Sequence, residues 1–147
     1  MAEFQEVAVR LITVPCRDPE QVINTYEDAI RYVLQDLQLC AVEYVTVIFL
    51  DAGGCPICHA NIGRGNLDSA CVSLAEIGRI ALLCNAAGVI CVHNHPSGNP
   101  EPSREDDAMA EKMKKALGLF DIRLVDFVIA GKTYCSYQQE KRGVFGE

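Results

Sequence analysis

Four residues in one short stretch could do chemistry together. His93 and His95 stand two apart at the end of an apolar run, and Ser103 and Asp106 follow in Ser-x-x-Asp spacing. Strand side chains alternate with period two, so the two imidazoles should point to the same side. Pro96, Gly98, Pro100 and Pro102 make a tight return that can bring Asp106 back to the histidine pair. Two imidazoles and one carboxylate form a zinc set of the catalytic kind. Three protein ligands leave a fourth position for water, whose pKa the metal lowers to about 7. A closed structural site needs four ligands, usually with cysteine. Each part has a plainer reading when taken alone. His-x-His is only suggestive, and Ser103-x-x-Asp106 is also a helix capping box. The two readings of the serine pair are compatible, because the serine can cap while the aspartate ligates.

The elements that must carry these residues read as an alternation of strands and helices. Residues 7–14 are β-rich and predict a strand or extended arm. Asp18-Pro19-Glu20-Gln21 predicts a helix start, with an apolar stripe at Val22, Tyr26, Ala29, Ile30, Val33, Leu34 and Leu37. Tyr44 to Leu50 is β-branched and aromatic and predicts a buried strand. Asp51-Ala52-Gly53-Gly54 predicts a hairpin turn, and Pro56 to Ile62 the second strand, with a break at Gly63 to Asn66. Ser73-x-x-Glu76 predicts a capping box opening a helix that faces inward with Leu74, Ile77, Ala81 and Cys84. Ala87 to Val92 is a short apolar strand, and His93 to Pro102 a loop. Ser103 begins a third helix with Met109, Met113, Ala116 and Leu117 inward, and Gly118 loosens or ends it. Ile122 to Ala130 and Thr133 to Tyr137 form a closing strand pair around Gly131-Lys132. The class is α/β: a mixed β-sheet flanked by helices. The expected organisation is one domain over 1–147, with an N-terminal strand and helix in 1–40 and a motif-bearing core in 43–143.

The totals exclude several classes. The chain has 147 residues, half of them hydrophobic and 22% charged, an ordinary globular composition. A formal net charge of -7 disfavours direct binding to nucleic acid, since an acidic surface repels phosphate. The one short basic run is Lys112, Lys114 and Lys115. Eight cysteines would suggest disulfides in a secreted protein. The start, Met1-Ala2-Glu3-Phe4, lacks a leader pattern, and Cys40, Cys84 and Cys91 sit in or beside apolar runs. Reduced thiols and a cytoplasmic location are the expectation. No apolar run approaches the ~18 residues of a membrane span, so no membrane partner is expected.

Cys55-Pro56-Ile57-Cys58-His59 imitates a haem-attachment or redox motif. No second Cys-x-x-Cys completes a zinc site, and on a strand Cys55 and Cys58 would face opposite sides. A partly exposed Cys55 beside the Gly53-Gly54 turn is the expected outcome.

The order His-x-His-Pro, six residues, then Ser-x-x-Asp resembles the JAMM signature of JAB/MPN domains. His93-Asn94-His95-Pro96-Ser97-Gly98 with Pro102-Ser103 and Asp106 resembles its RadC branch. The likeness runs from roughly Glu43 to Gly143 and includes Phe49-Leu50-Asp51, Asn85-Ala86-Ala87 and Glu140-Lys141-Arg142-Gly143. The resemblance implies a JAB1/MPN (cytidine-deaminase-like) fold, a Zn2+ ion on His93, His95 and Asp106, and hydrolysis of peptide or isopeptide bonds. It also implies that Ser103 supports the oxyanion, and that a glutamate before the first core strand is the general base and acid. Glu43 is the residue so placed. Phe127 after Asp126, where many members have Asp-His, and Ala60, where some carry a second glutamate, depart from the family pattern. Longer RadC proteins carry a helix-hairpin-helix domain that does not fit before Glu43, so the chain resembles the short stand-alone forms. The competing functions are a DNA-repair-associated factor and a non-catalytic interaction module. The acidic balance weighs against the first, and the intact ligand set against the second. The substrate is a protein or peptide that the sequence does not name, and the oligomeric state is open.

Overall fold

The structure is a computed structural model describing residues 24–65 and 72–146. Its frame is a five-stranded sheet in the order β2-β1-β3-β4-β5. The strands are β1 (Tyr44–Leu50), β2 (Pro56–Arg64), β3 (Gly88–Asn94), β4 (Arg123–Ala130) and β5 (Tyr134–Ser136). The helices are α1 (Tyr26–Leu37), α2 (Leu74–Leu83), α3 (Arg104–Gly118) and α4 (Tyr137–Glu140). β3 and β4 are parallel and joined through α3; the other pairings are antiparallel. This is the mixed α/β architecture expected from the alternation of apolar runs and capped helices. Among the described residues, no helix is long and apolar enough to cross a membrane.

Strand alternation divides the core in two. Val45, Val47, Phe49, Val89, Cys91, Phe127 and Ile129 pack with Ile77 and Ala81 of α2 and Met109 and Met113 of α3. Ile48, Leu50, Ile90, Val92, Val128 and Ala130 pack against Ala29, Val33, Leu34 and Leu37 of α1. Both faces of β3 are therefore covered, and all seven of its residues are buried. That is why its sequence reads as a continuous apolar run instead of an alternating one. Each fully buried Val, Ile or Phe here contributes on the order of 1.5–3 kcal/mol. The β3–β4 register skips Val125, because Val89 faces Leu124 while Ile90 faces Asp126. A Cβ on Gly88 would lie 2.9 Å from Val125, so glycine accommodates the bulge.

Several boundaries differ from the sequence expectation. α1 starts at Tyr26, behind the N-cap Thr25, whose hydroxyl accepts from Asp28 N–H at 3.1 Å. Thr25 is extended, so Asp18 is not the cap of this helix. Asp18 to Val22, like the strand expected at 7–14, lies outside the described residues. Tyr26 points outward, at 39% exposure. At α2, Ser73 caps Glu76 N–H at 3.1 Å, without the reciprocal glutamate bond of a full capping box. β2 runs on to Arg64, held by pairing with Tyr44 and Val45. β3 extends through Asn94, so His93 belongs to the strand and not to the following loop. On α3, Ala110 is buried and Ala116 only half-buried.

The closing strand ends at Ser136, one residue earlier than expected, because Ser136 caps the short α4. The Ser136 hydroxyl accepts from Gln139 N–H and donates to Asp126 at 2.6 Å. Asp126 also accepts from the N–H groups of Phe127 (2.7 Å) and Gln138 (3.0 Å). Burial raises the Asp126 pKa, and these donors offset that only in part. A folded pKa above the unfolded value means the protonated form fits better. The associated stability is full below the unfolded pKa, near 4, and is lost as pH rises through the folded pKa. Asp126→Asn keeps the carbonyl acceptor and removes the titration. Urea unfolding of this variant should show a flatter pH profile just above pH 4 than wild type. Asp126→Ala orphans three donors and should cost about 2–4 kcal/mol at pH 7. Equal pH profiles for wild type and Asp126→Asn would contradict this account.

Candidate metal centre

The ligand candidates converge where β3 ends and α3 begins. His93 is 3% exposed and His95 follows the last strand residue. Their ring centroids lie 5.1 Å apart with planes at 89°. His95 is held from three sides. Its backbone N–H donates to Ala130 O of β4 at 2.8 Å, and its Nδ1 lies 2.9 Å from Asn99 O. A carbonyl only accepts, so Nδ1 carries the proton and Nε2 is left to face Asp106 Oδ2 at 3.0 Å. This is the carbonyl-oriented arrangement that metal-binding histidines use. His93 Nδ1 lies 2.8 Å from Asp106 Oδ1.

Asp106 is brought there by helix capping. The Ser103 hydroxyl accepts from Asp106 N–H at 3.1 Å and donates to Asp106 Oδ2 at 2.8 Å; Ser103 N–H donates to the same oxygen at 2.8 Å. The cap turns a side chain at the third helical position back toward the sheet. Burial opposes a charge on Asp106, which is 1% exposed. Hydrogen bonds from His93, His95 and Ser103 outweigh burial and hold the carboxyl far below its ordinary value. The hydrogen bond to Asp106 raises the His95 pKa, with the Glu43 charge adding a smaller push the same way.

His93 Nε2 is buried with no hydrogen-bond partner. An orphaned buried polar atom costs about 1–3 kcal/mol, and a metal ion would give it a partner. One ligand atom from each of His93, His95 and Asp106 lies within 4.8 Å of the others. The donor set and its orphaned nitrogen fit a metal ion that accepts nitrogen and oxygen.

Glu43 enters from a different element. It immediately precedes β1, is half-buried, and its carbonyl accepts from Gly65 N–H at 3.0 Å. Val45 lies opposite His93 in the antiparallel β1–β3 register. The pairing ends there; two residues further out, Glu43 and His95 have the same alternation parity as that pair, and the Glu43 charge acts on His95. Glu101 and Glu105 are both exposed.

Supports that the motif did not reveal surround the centre. A Cβ on Gly131 would lie 2.5 Å from Gly98 O and 2.8 Å from Pro100 N, and Lys132 N–H donates to Gly98 O at 2.7 Å. The β4–β5 turn therefore cradles the loop after His95. Next to Asp106, Asp107 receives Arg142 Nε (2.9 Å), Arg142 Nη2 (3.0 Å) and the Tyr137 hydroxyl (2.7 Å), tying the end of the chain to α3. Neither segment signals this pairing by itself, because the partners are 30 or more residues apart. Phe127 is fully buried against Tyr137, with ring centroids 5.0 Å apart. Ala60 lies opposite Val47 in the β1–β2 pairing. The basic run is engaged locally: Lys114 Nζ donates to Val144 O at 2.6 Å, and Lys115 pairs with Glu111.

The Cys-x-x-Cys-His segment is elsewhere. Cys55 is exposed and Cys58 packs toward the α2–α3 core. Burial, with Cys84 beside it, pushes the Cys58 thiol up to about 11, which keeps it protonated and a poor ligand. Among the described residues, Cys40, Cys55, Cys58, Cys84, Cys91 and Cys135 are free thiols. A Cys55→Ser/Cys58→Ser protein should retain the metal content of wild type. Metal analysis after purification checks this, and loss of metal from a folded double variant would contradict it.

Comparison with known proteins agrees with the fold and the motif. The family model described as RadC-like JAB domain matches residues 23–143. A UPF0758 protein of Xanthomonas campestris pv. campestris (strain 8004) is 44% identical over 101 residues, covering 69% of this chain and 45% of that protein. UPF0758 proteins of Thioalkalivibrio sulfidiphilus and Haemophilus ducreyi are each 38% identical, over 117 and 122 residues. These alignments cover 80% and 82% of this chain, and 52% and 55% of the relatives. The chain thus spans about half the length of the curated relatives it matches. A mixed sheet carrying His93, His95 and Asp106 at the junction of β3 and α3, and a family match over most of its length, place this chain in the RadC-like JAB domain family.

Proposed function

We propose that the protein is a zinc-dependent hydrolase of the JAMM type, cleaving a peptide or isopeptide bond. The observation that carries this reading is the convergence of His93, His95 and Asp106 with His93 Nε2 left buried and unpartnered. A zinc ion held by these three residues would supply Lewis acidity and a water acidified to a pKa of about 7. The remaining work falls to the chain's own groups. Glu43, whose charge acts on His95, takes the proton of the attacking water and delivers it to the leaving nitrogen. Ser103 fixes Asp106 through its N–H and hydroxyl; to support a developing oxyanion at the N-terminus of α3, that hydroxyl would turn its single proton away from Asp106 Oδ2. The Asn99 carbonyl and Ala130 carbonyl hold His95 in orientation throughout.

The test uses protein purified without a tag, loaded with zinc and incubated with pools of peptides and lysine-linked isopeptides. Mass spectrometry should find new amide-cleavage products that chelation abolishes and added zinc restores. A zinc-loaded protein that cleaves neither pool, or cleaves equally after chelation, would overturn the hydrolase reading.

A further inference from the structure

Between the two histidines stands a residue that the reaction does not use. Asn94 is 1% exposed, and alternation turns it to the α1 face, away from His93 and His95. Its amide is fully employed there. Oδ1 accepts from Tyr44 N–H at 2.6 Å, and Nδ2 donates to Leu37 O at 3.2 Å and Val42 O at 3.0 Å. These partners are 50 to 57 residues earlier in the chain. They bracket the connection between α1 and β1, and Glu43 lies between Val42 and Tyr44 within it.

A primary amide is the group that can do this. It offers two N–H donors and a carbonyl acceptor from one planar end. Asp supplies no donor, Ser is too short to reach three partners, and Leu would leave two carbonyls and an N–H unsatisfied in a buried place. Within the connection Val42 and Leu39 are exposed, at 37% and 88%, so burial of these two side chains does little to anchor it.

We propose that Asn94 is a positioning residue that fastens the α1–β1 connection to the histidine strand and so holds Glu43 in place. The role rests on the hydrolase reading for Glu43 as the base, whereas the clamp itself does not. One strand then orients two parts of the site at once. Its site face carries a ligand, and its reverse face sets where the base stands.

The test compares zinc-loaded wild type and Asn94→Ala by residue-resolved amide hydrogen exchange. Asn94→Ala should keep its zinc. Exchange should speed on the order of ten-fold at Tyr44, which loses its acceptor, and at Gly65, whose N–H bonds the Glu43 carbonyl. Ile90 to Val92 and the α3 amides should keep wild-type rates. A merely structural role would raise all core amides together, and that uniform rise, or no change at Tyr44 and Gly65, would overturn the clamp. If Asn94→Ala does not fold, Asn94→Asp carries the test at Gly65 alone, because it keeps the acceptor for Tyr44 and loses the donations to Leu37 and Val42; unchanged Gly65 exchange in that variant would overturn the clamp. On the peptide and isopeptide pools, Asn94→Ala should lower kcat more than it raises KM. It should cause no further loss in a Glu43→Gln background; an additive loss would overturn the link to Glu43. If wild type cleaves neither pool, the hydrolase reading fails while the exchange pattern still decides the clamp.

Discussion

Glu43→Gln should keep its zinc and its melting temperature and lose on the order of 10²-fold or more in hydrolysis. The substitution keeps the size of the side chain and removes its proton affinity. Glu43 is suited to the role because it approaches from β1 while the ligands come from β3 and α3. A carboxylate from a separate element can face a metal-bound water without competing to ligate. The other acids of the stretch are poorly placed. Glu101 is exposed in the turn before α3, and Glu105, one residue from Asp106 on the helix, points roughly 100° away from it. Glu101→Gln and Glu105→Gln should therefore retain activity within a few-fold. Full activity in Glu43→Gln would remove Glu43 from the mechanism while leaving the zinc site standing.

Asp106→Ala should purify with little or no zinc, its affinity lowered by on the order of 10²-fold or more, since loss of a ligand exceeds loss of a supporting group. The same change reaches further than the metal. It removes the acceptor of Ser103 N–H and hydroxyl, and it leaves His93 Nδ1 as well as Nε2 unpartnered. The Ser103 hydroxyl still caps the backbone N–H of position 106, so only the reciprocal half of the capping box is lost, and the buried, unpartnered imidazole costs about 1–3 kcal/mol. Asp106→Asn separates the two effects. Its amide oxygen can still accept from Ser103 and preserve the helix start, but a neutral amide is a weak zinc ligand. Asp106→Asn should melt below the wild-type apoprotein, having lost the charge that these hydrogen bonds favour, but above Asp106→Ala, and should still fail to hold zinc. Metal analysis and thermal unfolding, each with and without chelator, measure both. Wild-type zinc content in Asp106→Asn or Asp106→Ala would show that the ion, if bound, sits elsewhere.

The parts of this site that were legible are those whose partners are close in sequence. His93, His95, Ser103 and Asp106 lie within one strand–loop–helix unit, so spacing and strand alternation suffice to bring them together. β1 and β3 were legible as apolar runs because both faces of those strands are covered. The start of α1 was misread because Asp18-Pro19 carries strong start chemistry, whereas Thr25-x-x-Asp28 holds the actual cap. α4 was missed because Ser136 ends a three-residue strand and caps a four-residue helix, both too short for periodicity to register. The roles of Asn94, Gly131 and Arg142 depend on backbone groups or side chains 30 or more residues away. Nothing in local composition encodes such partners. Glu43 was reached through family resemblance; no local pattern marks it, and its charge acts on His95 across elements 52 residues apart.

The placement of the ligands within one β3–α3–β4 crossover bears on the order in which the molecule can assemble. His93 and Asp106 are 13 residues apart, and His95 and Asp106 are 11 apart. Closing loops of that length is fast and entropically cheap. Bringing Asn94 to Tyr44 closes a segment of 50 residues, including all of β2 and α2. Contacts of that span form more slowly. The unit carrying His93, His95 and Asp106 can thus mature before β1, which Glu43 precedes, is seated. During refolding, zinc capture should run ahead of the protection of the Tyr44 amide, leaving a transient species that holds metal and does no hydrolysis.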